Sequence, residues 1–390
     1  MKICAVIAEY NPFHLGHLKQ IDYVKTVLKA ERVVVIMSGN FTQRGEVALL
    51  NKFERARHAV ISGADAVIEL PTVFATANAE TFATGAINIL HSFGVIDGIC
   101  FGVESGEKYE YLELASALLN ESKEYKKALK EHLDKGVSLA KAKFLAVKAV
   151  YGDKFNEQLI NSPNNVLGLE YTKAILKNKS DIEIFPMLRD GDHNDITLKK
   201  GETSATSIRN AIKTGKRKKV KPCVPPFVYK DLTDYPFAFD KLCMAKLITT
   251  NVQDLKKIAD CTEGLENRIK ALSKDNRTID ALIDKVTTKR YPATRIRRIL
   301  TANLLGIEEK FVKECLSETL YAKVLAVDSN KMDIVSTLAK RSKAPVLTRK
   351  SDLQALDKTA KACWDKDVLA NDLYNLIADQ KTNENHMLII

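Results

Sequence analysis

Two hydrophobic patterns alternate along the first part of the chain. Residues 2–10 (KICAVIAEY) and 32–39 (RVVVIMSG) are short apolar runs, a pattern typical of strands buried on both faces of a sheet. Between them, Leu18, Ile21 and Val24 recur at the three-residue spacing of a helix that packs on one side. The pattern therefore predicts a strand, a helix and a second strand in that order.

This alternation continues along the chain and predicts an α/β fold. Further strands are predicted over 64–71 and 97–104, and helices over 17–30, 51–63 and 79–94. Strands that alternate with helices, and that are apolar throughout, indicate a parallel sheet covered by helices on both faces. We therefore predict a Rossmann-like α/β domain whose ligand site lies beyond the carboxyl ends of the strands.

The second half of the chain has a different organisation. A further strand is predicted over 181–189, and the segment at 213–227 (KTGKRKKVKPCVPPF) is basic and contains prolines, which favours a domain boundary. Beyond about residue 230 the apolar spacing is mainly helical. We expect an α/β domain over 1–220 and a mainly α-helical domain over 221–390.

Composition narrows the class of protein. The chain has 390 residues, 45% of them hydrophobic and 28% charged, which is enough to form the cores of two domains. No apolar run approaches the roughly 20 residues of a membrane span, and the seven cysteines form no C-x-x-C pair. We expect a cytoplasmic protein with no membrane partner. The formal net charge of +11 favours a polyanionic partner, with nucleic acid as the first candidate.

The turn after the first strand, AEYNPFHLGH at residues 8–17, concentrates residues suited to phosphate binding. Gly16 lets a ligand approach the backbone, and the following helix start offers free N–H groups and a positive dipole end. His14 and His17 add imidazole donors for a phosphoryl group in its transition state. A zinc half-site is disfavoured because ligation has no need of Gly16; histidines that only cap a helix are the plainer alternative.

NPFHLGH resembles the H-x-G-H signature of the nucleotidyltransferase superfamily, whose members transfer a nucleoside monophosphate and release pyrophosphate. The segment TSATSIR at 203–209 is similar to the superfamily's second motif, I-S-S-T-x-I-R, whose hydroxyl and Arg hold the triphosphate. Because residues 203–205 depart from I-S-S, either Ser204 or Thr206 is the candidate hydroxyl. The resemblance implies a HUP-type nucleotidyltransferase domain in which Arg209 is catalytic.

Further segments extend the similarity beyond these two motifs. They are SGNFTQRGEVAL, SGADAVIELP, FGVES, NNVLGLEY, EGLENRI, TKRYPATRIRRIL and YAKVLAV. Together they resemble one family along nearly the whole chain, the bacterial tRNA(Met) cytidine acetate ligases. The resemblance implies an enzyme that uses ATP and acetate to form N4-acetylcytidine at the wobble position, C34, of elongator tRNA(Met). Mg²⁺ would accompany the nucleotide, and DNA would not be a partner.

The implied chemistry passes through an acetyl-adenylate, because the amino group of cytosine is a poor nucleophile and needs an activated acyl group. His14, His17 and Arg209 would be the catalytic residues. The resemblance also implies nucleotide contacts from Ile7, Ala8, Glu9, Tyr10, Asn11, Pro12, Phe13, His14, Leu15, Gly16, His17, Leu18, Lys19, Gln20, Gly102, Asn164 or Asn165, Arg189, and Ser204 or Thr206.

A basic segment in the second half is the candidate tRNA-binding surface. KVTTKRYPATRIRR contains Tyr291 and the basic residues Lys285, Lys289, Arg290, Arg295, Arg297 and Arg298. Cations with an interleaved aromatic suit phosphate contacts and base stacking in an unstacked RNA loop, whereas a solvated helix face is the plainer interpretation. Arg44, in GNFTQRGE, is a further candidate for contact with tRNA or phosphate, unless it only orders its loop.

Two other functions compete with this interpretation. An adenylyltransferase acting on a free small molecule would work without RNA and leave AMP in its product. An RNA-binding protein with a vestigial nucleotide fold would not be expected to keep His14, Gly16, His17 and Arg209 together.

Overall fold

The computed structural model describes residues 1–137, 139–189 and 203–390. It is built on one sheet whose two faces are each covered by a hydrophobic cluster. The strands are Ile3–Ala8 (β1), Arg32–Ser38 (β2), Ala66–Leu70 (β3), Gly98–Val103 (β4), Glu183–Leu188 (β5), Ala322–Val327 (β6), Val346–Leu347 (β7) and Leu388–Ile389 (β8). In the described part of the chain, no helix is both long enough and apolar enough to span a bilayer.

The strand order is β5-β4-β1-β2-β3-β6, with β7 and β8 both pairing with β6. The strands from β5 to β3 are parallel, whereas β6 runs antiparallel to β3. From β1 the chain proceeds outward through β2 and β3, and then returns to place β4 on the opposite side of β1. The switch point therefore lies between β1 and β4, where ligands of open α/β sheets bind.

Helices connect these strands and form the remainder of the structure. In the first half they are Leu15–Thr26 (α1), Lys52–Ile61 (α2), Thr72–Ala75 (α3), Ala79–Phe93 (α4), Lys108–Leu119 (α5), Lys123–Asp134 (α6), Leu139–Tyr151 (α7), Gln158–Asn161 (α8), Pro163–Lys177 (α9) and Ala205–Lys213 (α10). In the second half they are Pro226–Asp231 (α11), Ala238–Thr249 (α12), Val252–Leu255 (α13), Leu265–Ser273 (α14), Ile279–Val286 (α15), Ala293–Leu305 (α16), Glu309–Ser317 (α17), Asp333–Arg341 (α18) and Lys358–Ala378 (α19). Short 3₁₀ segments occupy Gly152–Lys154, Arg217–Cys223, Ser329–Lys331 and Lys350–Ala355.

The apolar runs become central strands because they are buried on both faces. In β1, Ile3 and Ala5 point into one hydrophobic cluster, while Cys4 and Val6 point into the other. Local signals fix the helices between them: the Asn51 side chain caps α2 by accepting from the N–H of Glu54. The predicted α/β fold is confirmed.

The sheet extends across the predicted boundary at residue 220. Strand β6 pairs antiparallel with β3, for example Ala66 with Val327. Helices α10 to α17 lie between the two strand-forming parts of the chain. The segment 221–390 is thus mainly helical, yet it also completes the sheet, a pairing that no local pattern reveals because the partner strand is far away in sequence. The division into 1–220 and 221–390 stays a prediction.

A buried ion cluster ties the C-terminal segment to the sheet. Lys52 Nζ lies 2.7 Å from a carboxylate oxygen of Glu69 and 2.6 Å from one of Glu384. Lys323 on β6 pairs with the same two carboxylates. All four side chains are buried, so two positive and two negative charges balance one another away from water.

We expect Glu384→Gln to lower the free energy of unfolding by about 3 kcal/mol, because Lys52 and Lys323 would then share a single buried carboxylate. Urea denaturation measures the change as a lower midpoint with an unchanged slope. The exposed Glu318→Gln provides the matched control and should not shift the midpoint. A loss below about 1 kcal/mol would show that the cluster is not needed to hold the segment.

Candidate active site

The turn between β1 and α1 holds two histidines in fixed positions. His14 is the N-cap residue of α1, and its Nδ1 accepts a hydrogen bond from the N–H of Gly16 at 3.1 Å. In return, Nδ1 of His17 accepts from the N–H of His14 at 3.2 Å, which completes a reciprocal capping box. The rings stack with centroids 3.6 Å apart. A Cβ atom on Gly16 would lie 3.0 Å from the His14 ring, a tight contact that disfavours a larger residue there.

These hydrogen bonds fix which ring nitrogen carries the hydrogen. Because Nδ1 accepts in each ring, the neutral imidazole is protonated on Nε2. Burial, together with the neighbouring His14 and Arg189, lowers the pKa of His17 well below its ordinary value. His17 is therefore neutral at neutral pH and can donate a hydrogen bond without giving up a proton. This is the state needed to stabilise charge on a phosphoryl group.

The second motif forms the start of α10. The Ser204 hydroxyl caps this helix by accepting from the N–H of Ser207 at 3.2 Å. Thr206 Oγ1 accepts from Arg209 Nη2 at 3.3 Å and from Arg44 Nη1 at 3.5 Å. One hydroxyl thus orders the helix start and the other lies between two guanidinium groups.

Arg209 links the two motifs across the sheet edge. Its Nη1 donates to the backbone carbonyl of Asn11 at 2.7 Å, within the histidine turn. Its Nη2 pairs with Oε2 of Glu46 at 3.0 Å, in the loop after β2. The side chain is buried. Residues far apart in sequence therefore meet at the carboxyl ends of β1 and β2, as the switch-point argument predicts.

Both motifs line one cavity of about 600 Å³, a volume within the range of small-molecule sites. Seventeen of the predicted site residues lie in its wall: Ile7, Ala8, Glu9, Tyr10, Asn11, His14, Gly16, His17, Gln20, Arg44, Gly102, Asn164, Arg189, Ser204, Thr206, Arg209 and Arg298. Sequence reasoning did not single out Ala79, Phe82, Phe101, Pro163, Val166, Leu167, Tyr171, Met187, Ala205, Ser207 and Thr294, which also lie in the wall. Most of these are apolar, and their pattern is indistinguishable from that of core positions.

Other members of the predicted nucleotide set lie outside the cavity wall. They are Pro12, Phe13, Leu15, Leu18, Lys19 and Asn165. Phe13 is buried and its ring packs against Tyr10 and His17, with centroids 4.8 Å and 5.5 Å apart. It therefore supports the histidine pair from behind instead of facing the cavity.

The ends of β4 and β5 form one side of the cavity. A Cβ atom on Gly102 would lie 2.9 Å from Cδ of Arg189, so glycine lets this side chain cross the end of β4. Asn164 faces the cavity, and its Nδ2 donates to Glu104 at 2.6 Å. Asn165 is fully buried and accepts from the N–H of Glu104 at 2.8 Å. Of the two asparagines, Asn164 is the one placed to meet a ligand.

The loop after β2 lies between the end of β1 and helix α16. The N–H of Gln43 donates to Oε1 of Glu9 at 2.7 Å. On the far side, Thr301 Oγ1 donates to the carbonyl of Gly45 at 2.7 Å. Gly45 has φ +71°, and a Cβ atom there would lie 2.6 Å from the backbone nitrogen of Arg298. The loop therefore connects the active-site edge directly to the basic helix.

The arginines in α16 and just before it are paired with acidic residues from other parts of the chain. The pairs are Arg290 with Glu263 at 2.8 Å, Arg295 with Glu263 at 3.3 Å, Arg297 with Asp280 at 2.9 Å and Arg298 with Asp260 at 2.8 Å. The segment is therefore a network of ion pairs and not a run of isolated cations. Arg298 reaches the cavity, whereas Lys289, Arg290, Arg295 and Arg297 do not line it.

The cavity wall supplies little for a bound metal ion. Glu9 is the acidic residue of the described wall. Within the described residues, Glu54, His58 and Asp231 form the group of metal-ligating side chains close enough to share an ion, and they lie outside the cavity. Mg²⁺ that arrives on phosphate oxygens usually keeps several waters and needs few protein ligands, so this wall does not conflict with an ion carried by the nucleotide.

Comparison with known proteins agrees with this geometry. A model of the family described as HIGH Nucleotidyl Transferase matches residues 1–387. The tRNA(Met) cytidine acetate ligase of Caldanaerobacter subterraneus subsp. tengcongensis is 38% identical, over 96% of this chain and 95% of that protein. Its counterpart in Acetivibrio thermocellus is 36% identical, over 96% and 94%.

Solved structures give the same result. Thermotoga maritima TmcAL bound with alpha-thio ATP has a TM-score of 0.91 to this chain at 28% identity, and the apo form has 0.93 at 29%. Both comparisons cover 100% of each chain. The fold and site thus define a HIGH-type nucleotidyl transferase. Within that class, the chain belongs to the family of tRNA(Met) cytidine acetate ligases, and it is an ATP-dependent ligase.

Proposed function

We propose that this enzyme uses ATP and acetate to acetylate N4 of the wobble cytidine, C34, of elongator tRNA(Met). The observation that carries the proposal is that the two phosphate motifs and the basic helix α16 meet at one cavity, through His14, Arg209 and Arg298. A small-molecule adenylyltransferase would have no use for a basic helix at its active site. Acting on tRNA with ATP, the enzyme would work in the cytoplasm.

In the first step, a carboxylate oxygen of acetate attacks the α-phosphorus of ATP, and the bond to the pyrophosphate oxygen breaks. The Nε2–H groups of His14 and His17 would donate to the α-phosphoryl oxygens as their charge grows, while Arg209 would hold the leaving pyrophosphate. Mg²⁺ bound with the nucleotide would neutralise part of the phosphate charge. The products are acetyl-adenylate and pyrophosphate.

In the second step, N4 of the cytidine attacks the acetyl carbonyl carbon. A C–N bond forms, the C–O bond to AMP breaks, and the amine loses one proton. The nucleoside of ATP would lie toward β4 and β5, where Gly102, Asn164 and Arg189 face the cavity. This leaves the side toward β2 and α16 for the acceptor, so that the acetyl group lies between the two reactants.

Nucleoside analysis by mass spectrometry tests the proposal. Purified protein is incubated with ATP, Mg²⁺, isotopically labelled acetate and bacterial tRNA, and the RNA is then digested. We expect labelled N4-acetylcytidine that requires ATP and does not arise from acetyl-CoA. Unlabelled RNA, with AMP transferred to a small acceptor instead, would contradict the proposal.

The role of α16 gives a separate prediction. Replacing Arg295 and Arg298 together with Gln should weaken tRNA binding and reduce the slope of log affinity against log salt by about 1 to 2, because two phosphate contacts would be lost. Filter binding across a salt series measures this. Acetate-dependent ATP–pyrophosphate exchange should continue, since the nucleotide would bind on the other side of the cavity.

The control pair is Lys310→Gln with Lys313→Gln on the neighbouring helix α17, where both side chains are exposed and paired with glutamates. This variant should bind tRNA as the wild type does. If ATP–pyrophosphate exchange fell in the arginine variant while its tRNA affinity stayed the same, the proposal that α16 binds tRNA and the other side of the cavity binds the nucleotide would be wrong.

A further inference from the structure

Glu9 lies at the end of β1 and is the acidic residue of the described cavity wall. Its carboxylate accepts the backbone N–H of Gln43 at 2.7 Å, and within the described residues it forms no ion pair. Gln43 is itself fixed, because its Nε2 donates to the carbonyl of Ala77 at 3.3 Å. The loop after β2 thus holds a carboxylate in place at a site otherwise built for phosphate.

Glu9 is anchored on the side of the cavity opposite β4 and β5, where the nucleoside of ATP is proposed to bind. With the order β5-β4-β1-β2-β3, Gly102 and Arg189 extend from the strands on one side of β1. Gln43 and the loop that touches α16 come from the strand on the other side. Glu9 is anchored to that second side, which is where an acceptor guided by α16 would arrive.

The surroundings of Glu9 suit a flat aromatic base. Gln43 ties the Glu9 carboxylate to the segment that leads into α4, whose Ala79 and Phe82 line the cavity. Tyr171 of α9 also lines the cavity, and burial together with the nearby Glu9 carboxylate raises the pKa of its hydroxyl. A carboxylate beside apolar and aromatic walls is the arrangement that accepts a hydrogen bond from the exocyclic amine of cytosine.

We propose that Glu9 accepts the N4 amino group of the target cytosine and acts as the general base for acetyl transfer. This inference rests on the proposed function. As N4 attacks the acetyl-adenylate carbonyl, the new C–N bond forms, the C–O bond to AMP breaks, and the N4 proton passes to the Glu9 carboxylate.

Electrostatics favours this role. Burial raises the pKa of Glu9 above its ordinary value, although the Gln43 N–H, Arg209 and Arg44 oppose the shift and Glu46 adds to it. A carboxylate with a raised pKa is a stronger base, and it is active in its deprotonated form. The rate of acetyl transfer should therefore rise with pH, level off above the pKa of Glu9, and begin this rise at a higher pH than an ordinary carboxylate would give.

The test separates acetyl transfer from adenylate formation in Glu9→Gln, with folding checked by circular dichroism. Single-turnover transfer from preformed acetyl-adenylate to tRNA should fall about 100-fold and lose its rise with pH. Acetate-dependent ATP–pyrophosphate exchange should fall at least about tenfold less than transfer does. Glu9→Asp should keep the pH-dependent rise at a reduced rate, which a merely structural role would not produce. The exposed Glu80→Gln, beside the cavity residue Ala79, is the matched loss of charge and should leave both steps unchanged.

Several results would overturn the inference. Equal losses of exchange and transfer in Glu9→Gln would place the carboxylate in adenylate formation. A shift of about tenfold or more in the Mg²⁺ dependence of exchange would make it a ligand of the nucleotide's metal ion. If wild type forms N4-acetylcytidine and Glu9→Gln does so at the same rate, this inference fails while the proposed function stands. A wild-type protein that forms none would overturn both.

Discussion

His14→Ala is expected to lower the rate of N4-acetylcytidine formation by about 100-fold or more, while tRNA binding stays nearly intact. The structure gives the reason: Nδ1 accepts from the N–H of Gly16, so the donor of the neutral ring is Nε2. Alanine removes that donor, and a water molecule in the vacated space would not be held in the same position. Rates of acetylation at saturating tRNA, with affinity measured separately, give the result.

Loss of the helix cap must be distinguished from loss of the donor. Alanine at an N-cap position costs about 1 kcal/mol of helix stability. His14→Asn keeps an N-cap acceptor but lacks the imidazole, so it should be about as inactive as alanine while folding normally. His132→Ala, in the last turn of α6 and outside the cavity, is the control and should remain fully active. Normal turnover in His14→Asn would exclude the proposed role.

Arg209→Ala is expected to reduce kcat/KM for ATP by about 100- to 1000-fold, because it removes the guanidinium that joins the two phosphate motifs. Arg209→Lys should recover only part of this loss, since an ammonium cannot hold the Asn11 carbonyl and a phosphate with the same planar geometry. Steady-state kinetics with ATP as the varied substrate measures both variants.

A second variant removes an ambiguity in this experiment. Arg209→Ala leaves the carboxylate of Glu46 without its partner at 3.0 Å, and an unpaired carboxylate would repel the triphosphate. Combining it with Glu46→Gln removes that charge. We expect the double variant to stay at least about 30-fold impaired if Arg209 itself contacts the phosphates. The exposed Arg341→Ala on α18 is the control. Recovery of the double variant to near wild-type rates would assign the defect to Glu46.

How much the sequence predicts depends on the range of the interactions. The strands β1 to β5 and the histidine turn follow from local patterns: continuous apolar runs, helical spacing and a glycine between two imidazoles. The pairing of β3 with β6 does not, because the two strands are remote in sequence and a short buried run has no marker for its partner.

The same distinction applies to the site. The H-x-G-H and second motifs identify the phosphate side, whereas Phe82 and Tyr171 resemble ordinary core residues until the fold places them in the cavity wall. The ion pairs of the basic segment could not be predicted from the sequence for a similar reason. Asp260, Glu263 and Asp280 lie outside the basic segment: α15 packs against α16 and brings Asp280 close, whereas Asp260 and Glu263 come from the loop before α14.

Acetate labelled with ¹⁸O in its carboxyl group gives the most direct test that this cavity makes an acetyl-adenylate. In the proposed route an acetate oxygen attacks the α-phosphorus and stays with it when N4 displaces the acetyl group. AMP should therefore carry one ¹⁸O atom for each N4-acetylcytidine formed, as measured by mass spectrometry. Unlabelled AMP, or ADP with the label in inorganic phosphate, would show that acetate is activated by another route and would contradict the account.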